Sequence, residues 1–181
     1  DEEKLADFIT SRASMVGQSS LYGYIKTRAG TRFPELFKND IFVASINIAK
    51  WQIWAACVSD LVVYTGNLIY REHVQATEVR ATMRSVVSLI LDTVGSPEEA
   101  GPDFKRSMEM IKKRLSSCEL DDSLDLDTIF TQSPDALVHW SPIVDELKVL
   151  DEDIVRNSIR FRWQEPRREL RDALEVGLLM N

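Results

Sequence analysis

The longest apolar run in the chain lies between Asp40 and Arg71, where only Lys50 and Asp60 interrupt it with charge. At about 100° per residue, its apolar side chains cover nearly the whole circumference of a helix. A helix that is apolar on all sides is normally buried in a large core or in a membrane. The run therefore predicts a central buried helix over about residues 41–66.

The two charges decide between a protein core and a membrane for this helix. A lysine or aspartate at the centre of a membrane helix costs about 2.5 to 3.5 kcal/mol, whereas each large aliphatic residue or phenylalanine gains only about 0.3 to 0.6 kcal/mol. Between residues 41 and 64 there are ten such apolar residues, so their summed gain does not exceed the cost of Lys50 and Asp60. This balance favours a buried core helix.

Helical spacing of apolar residues recurs along the rest of the chain, and no stretch alternates with the period of a strand. It predicts helices over about residues 5–25, 74–94, 103–117 and 142–164, with a final helix around Leu170. The helix at 142–164 is marked by a row of apolar residues: Ile143, Leu147, Leu150, Ile154 and Phe161. We expect the helices at 74–94, 103–117 and 142–164 to form the walls around the central one.

The predicted fold is all-α, an irregular bundle of about six helices around the central helix at 41–66. With 181 residues, the chain is long enough for one domain with a substantial core. We therefore expect residues 1–181 to form a single helical domain, in which residues 1–30 either pack or serve as an interaction arm.

Charge is unevenly distributed along a chain whose net charge is −7. Residues 119–155 carry eleven acids against Lys148 alone, whereas residues 8–34 and 156–171 are basic. The net acidity argues against general nucleic-acid binding. The segregation is most simply explained by pairing of the acidic and basic sections, within one chain or across a dimer.

Few residues suggest catalytic or metal chemistry. Asp121, Asp122 and Asp125 have the DDxxD spacing that holds Mg²⁺ in helical enzymes acting on isoprenoid diphosphates, but no second such cluster accompanies them. An acidic, solvated loop gives the same pattern. No nucleophile elbow, P-loop or dinucleotide fingerprint is present, and neither His73 nor His139 belongs to a metal-binding pair. We therefore expect no metal and no cofactor, and a function other than catalysis.

One polar segment has the composition of a binding site, with cations interleaved with aromatic residues and no acids between residues 19 and 33. Arginine forks there are suited to a phosphate, a carboxylate or an acidic partner segment. The alternative is that these cations pair with the acids of the same chain. The candidate residues for binding an anion or a partner are Tyr22, Tyr24, Lys26, Arg28 and Arg32.

A stripe of mostly small residues on the central helix gives a second candidate surface. Ser45, Ala49, Gln52, Ala56, Ser59 and Gly66 share one side of that helix. Small side chains allow close approach of another backbone, either from the same chain or from the second copy in a homodimer.

These observations predict a non-enzymatic protein–protein interaction module: an adaptor, an assembly factor or an accessory subunit of a larger complex. The expected partner is another protein or a second copy of the chain. Cys57 and Cys118 form no disulfide framework, which is typical of a cytoplasmic protein. Two alternatives remain: a helical ligand-binding or Mg²⁺-dependent enzymatic domain for an apolar molecule with an anionic head, and a protein bound peripherally to a membrane.

Overall fold

The computed structural model describes residues 1–180, and within them every regular element is a helix. Seven helices of nine residues or more are joined by short 3₁₀ segments and two single-turn helices. In chain order the helices are α1 Glu2–Ala29, α2 Phe33–Leu36, α3 Asp40–Arg71, α4 Ala76–Val94, α5 Phe104–Ser117, α6 Gln132–Trp140, α7 Asp145–Arg162, α8 Gln164–Ala173 and α9 Val176–Leu179. The all-α prediction is confirmed.

Helix α3 is the centre of the bundle, as the apolar pattern predicts. The Asn39 side chain accepts hydrogen bonds from the N–H groups of Ile41 and Phe42 and so caps its first turn. Every residue from 52 to 67 except Ala56 is buried, and α1, α4, α5 and α6 pack around this part of the helix. The predicted walls α4 and α5 are therefore confirmed, whereas α7 packs mainly against α6 and α1 and not against the central helix.

The central helix extends beyond the predicted end near Gly66 because Asn67 is satisfied inside the fold. Its side-chain nitrogen donates to the carbonyl of Val63, at 3.1 Å, and to that of Glu119, at 3.2 Å. Asn67 therefore anchors the acidic loop to α3, and the helix continues beyond this residue. A Cβ added at Gly66 would lie 3.7 Å from the Met83 side chain and 3.8 Å from that of Val79, both on α4.

Two residues of the small-residue stripe on α3, Gln52 and Ser59, contact α5 of the same chain. The Ser107 hydroxyl donates to Gln52 at 2.5 Å, and Arg114 donates to the Ser59 hydroxyl at 3.1 Å. Nearby, the ring of Phe104 lies 5.5 Å from that of Trp51. Packing within one chain thus accounts for Gln52 and Ser59, and a homodimer through the rest of this stripe stays a prediction.

A buried carboxylate, Asp60, joins three helices. Its two oxygens accept hydrogen bonds from Arg114 of α5 at 2.6 Å and from the N–H and hydroxyl of Ser133 at the start of α6, at 2.7 and 2.6 Å. The Ser133 hydroxyl also accepts the indole N–H of Trp163 at 2.9 Å. Burial raises the pKa of Asp60, while Arg114 and Ser133 act to lower it. Because buried polar groups need partners, this network fixes how α3, α5 and α6 meet.

Helix α3 is also, among residues 1–180, the one helix that is long and apolar enough to cross a membrane by those criteria alone. The central helix of a water-exposed bundle meets the same criteria. Here the second half of α3 is enclosed by other helices of the chain.

Candidate functional site

Helix α7 has two apolar faces, and only one of them packs against the bundle. Val155 and Ile159 are buried, together with Trp163 directly after the helix. On the opposite side, Leu150 and Ile154 are each 75% exposed and Phe161 is 71% exposed. A helix with an apolar face toward the core and a second apolar face toward solvent has a surface that lacks a partner within the described chain.

The outer face forms a continuous row along the helix, which we call the α7 stripe. It consists of Leu147, Leu150, Ile154, Asn157 and Phe161. Four of them, all except Asn157, belong to the row whose spacing predicts the helix; the fifth member of that row, Ile143, lies before α7 begins. The helix itself is confirmed, but most of this row faces solvent instead of the core. The core-facing residues Val155 and Ile159 lie on the other side of α7.

A groove runs beside the α7 stripe, between α7 and α1. It encloses about 850 Å³ and is lined on one side by Met15 and Ser19 and on the other by Ile154 and Phe161. Met15 is 43% exposed, so it extends the apolar surface from α7 onto α1. Polar side chains, among them Arg162 and Glu165, also line the groove. The groove and the stripe together offer a surface with an apolar row and a polar border, of the kind that receives an amphipathic helix.

Unpaired charges border the stripe on its other side. Glu146, Asp153 and Arg160 are exposed and recur every seventh residue, so they lie in one line along α7. None of the three makes an ion pair within residues 1–180. Charges at the edge of an apolar stripe select the partner and its direction.

Two residues of the predicted basic-aromatic segment, Arg28 and Tyr24, form hydrogen bonds within the chain. The Arg28 Nε donates to the Asp151 carboxylate of α7 at 2.6 Å, and the Tyr24 hydroxyl donates to the same carboxylate at 3.0 Å. The hydrogen bond from Arg28 lowers the pKa of Asp151. Burial and the contact with Asp151 raise the pKa of Tyr24 to about 12. These contacts hold α1 against α7 and so fix one wall of the groove.

The other three predicted residues lie near the end of α1. The Tyr22 ring lies 6.5 Å from that of Phe37 and is partly buried. Lys26 and Arg32 are exposed and make no ion pair within residues 1–180. The structure therefore does not gather the five residues into one pocket, and binding by Lys26 and Arg32 stays a prediction.

Pairing of the acidic and basic sections is observed for several side chains. Ion pairs join Asp151 to Arg28 of the first basic section, and Asp127 and Asp135 to arginines of the second. The basic residues thus hold the fold together in part, as the charge pattern suggests.

The DDxxD residues lie in the loop between α5 and α6. The Asp121 carboxylate accepts the N–H and hydroxyl of Ser123, both at 2.8 Å, and this contact lowers its pKa. Asp125 caps the following 3₁₀ turn by accepting the N–H of Asp127 at 3.0 Å. Across residues 1–180, no three His, Cys, Asp or Glu side chains converge as metal ligands.

The outer position of the α7 stripe is the feature that sequence reasoning missed. Its spacing of three and four residues is visible in the sequence, and so is the line of charges beside it. The spacing indicates an apolar face without showing which of two apolar faces meets the core.

Comparison with known proteins gives no match for this chain: no family model, no curated protein and no solved structure resembles it significantly.

Proposed function

We propose that this chain is a non-enzymatic protein–protein interaction module that holds a partner helix along the α7 stripe. The observation that carries the proposal is the exposure of Leu150, Ile154 and Phe161 on one face of a regular helix. Large apolar side chains scattered singly on a surface need no explanation, but a contiguous row does.

The composition of the surface suits a helix as partner. Leu150, Ile154 and Phe161 recur at the intervals of helical turns, and Met15 on α1 borders the same groove. A partner helix placed there buries its apolar face against the row, in the way that amphipathic helices bind grooves. Burying one such side chain contributes about 1.5 to 3 kcal/mol.

The surroundings of the stripe support rigid docking. Asp151, held by Arg28 and Tyr24, fixes α7 to α1, and the buried Val155 and Ile159 fix it to the core. The stripe therefore keeps its shape before a partner arrives, which lowers the entropic cost of binding.

The proposal is tested by site-specific photo-crosslinking in cells that produce the chain. Phe161 is replaced by the photoreactive analogue benzoylphenylalanine, and Met110 of α5, which is 47% exposed, is replaced in a matched control. We expect a discrete protein adduct from position 161, identified by mass spectrometry, and its loss when Leu150→Asp is added. Equal adduct patterns from positions 161 and 110, or an adduct that survives Leu150→Asp, would contradict the proposal.

The end of α1 is a second, separate contact in this proposal. Lys26 and Arg32 are exposed and unpaired among the described residues, and they suit an acidic segment of the partner. The double variant Lys26→Glu, Arg32→Glu leaves Arg28 and its internal contact intact. If these cations take part, the variant lowers the yield of the position-161 adduct while far-UV circular dichroism stays unchanged; an unchanged yield removes them from the site.

A further inference from the structure

We infer that the helix bound along the α7 stripe is α7 of a second copy of this chain, packed antiparallel across a two-fold axis near residues 155 and 156. This inference rests on the proposed function and names its partner. It is carried by two independent patterns on α7, one apolar and one charged.

The apolar pattern is that of a short coiled-coil seam. Leu147, Leu150, Ile154, Asn157 and Phe161 are separated by three, four, three and four residues, the spacing of alternating a and d positions. In an antiparallel pair, each a position faces a d position. With the axis between residues 155 and 156, Leu150 faces Phe161 of the second copy, and Ile154 faces its Asn157. The four exposed members of the stripe are then centred on the axis.

The charged pattern sets the direction of the second helix. In this register, Asp153 of each copy lies opposite Arg160 of the other, so symmetry creates two complementary pairs. Neither residue has an ion-pair partner within residues 1–180 of its own chain. In a parallel pair, the g positions of the two helices lie on opposite sides of the seam, so Asp153 and Arg160 would not pair with each other. The Asp153–Arg160 pairs therefore form only in the antiparallel arrangement.

Self-complementarity is what makes a second copy the preferred partner. A two-fold interface uses the same patch on both subunits, so the patch must complement itself when reversed. The stripe meets this condition because its acidic border lies toward the start of α7 and its basic border toward the end.

Sedimentation equilibrium of charge-reversed variants tests this arrangement. We expect the wild-type chain to form a reversible dimer, and Asp153→Arg or Arg160→Glu alone to weaken it roughly tenfold, since each replaces two attractions by two repulsions. Mixing the two single variants should restore the wild-type affinity through a heterodimer, and so should the double variant. Asp92→Arg on α4 and Lys113→Glu on α5 are the matched controls, because they change the net charge equally at exposed, unpaired positions.

Two results would overturn the inference. The first is a wild-type chain that stays monomeric at every concentration, and the second is a dimer that neither single reversal weakens more than its control does. A monomer that still gives a Leu150-dependent adduct with a different protein from position 161 would remove the second copy as partner and leave the proposed function in place. If the position-161 adduct is lost as well, both the second copy as partner and the proposed function are ruled out.

Discussion

Ile154 and Ile159 are the same side chain on one helix, yet Ile154 is 75% exposed and Ile159 is fully buried. Five residues separate them, which places them on different sides of α7. Ile159 packs in the core of the bundle, whereas Ile154 lies in the middle of the α7 stripe. This difference makes the two residues a matched pair for separating stability from binding.

Truncation of the two isoleucines should change the stability of the fold by very different amounts. Ile159→Ala should lower the free energy of unfolding by about 2 to 5 kcal/mol because it leaves a cavity. Ile154→Ala should change it by no more than about 0.5 kcal/mol. Urea unfolding followed by circular dichroism, at a concentration where the chain is monomeric, measures both. Similar losses for the two variants would mean that the outer face of α7 is packed within the chain.

Removal of the Asp60 carboxylate should be strongly destabilising. Asp60→Ala leaves Arg114 and the N–H of Ser133 buried without their partner, and breaking a buried pair costs about 3 to 5 kcal/mol. The double variant Asp60→Ala, Arg114→Leu should be less destabilised than the sum of the single variants, because no charge is then left unpaired. Additive losses in this double-mutant cycle would show that Asp60 and Arg114 do not interact.

A side chain added at the glycine in the loop before α5 should destabilise the fold. Gly101 has a φ of +79°, and an added Cβ would lie 3.1 Å from Cγ1 of Ile48 on α3. Gly101→Ala should therefore lower the unfolding free energy by about 1 to 3 kcal/mol. Gly95→Ala, at a φ of +65° with nothing within 4 Å, should cost less because only the backbone is strained. Equal losses would mean that contact with Ile48 is unimportant.

The contact between Tyr24 and Asp151 should give a stability change at alkaline pH. The pKa of Tyr24 is raised from 10.0 to about 12 in the folded chain. The folded state therefore keeps its proton longer than the unfolded state does. The stability contributed by Tyr24 is fully present below pH 10 and is lost as the pH rises toward about 12. The difference in unfolding free energy between wild type and Tyr24→Phe should shrink over that range; a constant difference would contradict the prediction.

The sequence predicts the helices well because each depends on local periodicity. The central helix follows from an apolar run that only a core accommodates, and its extension beyond Gly66 depends on Asn67 bonding to a loop more than fifty residues away. The site was harder to predict. Arg28 and Tyr24 are chemically suited to binding, but the carboxylate they contact, Asp151, lies on a distant helix. Likewise, the spacing of Leu150, Ile154 and Phe161 is local, whereas their exposure depends on how α7 packs.

Native mass spectrometry of the wild-type chain beside Ile154→Asp, over a range of concentrations, tests the docking role of the α7 stripe most directly. The chain has a mass of 20.7 kDa, and the wild type should show a growing population at twice that mass. Ile154→Asp should remain at the single mass with unchanged helicity, because it places a charge in the centre of the apolar row. Identical distributions for the two proteins would contradict docking of a second copy on this face.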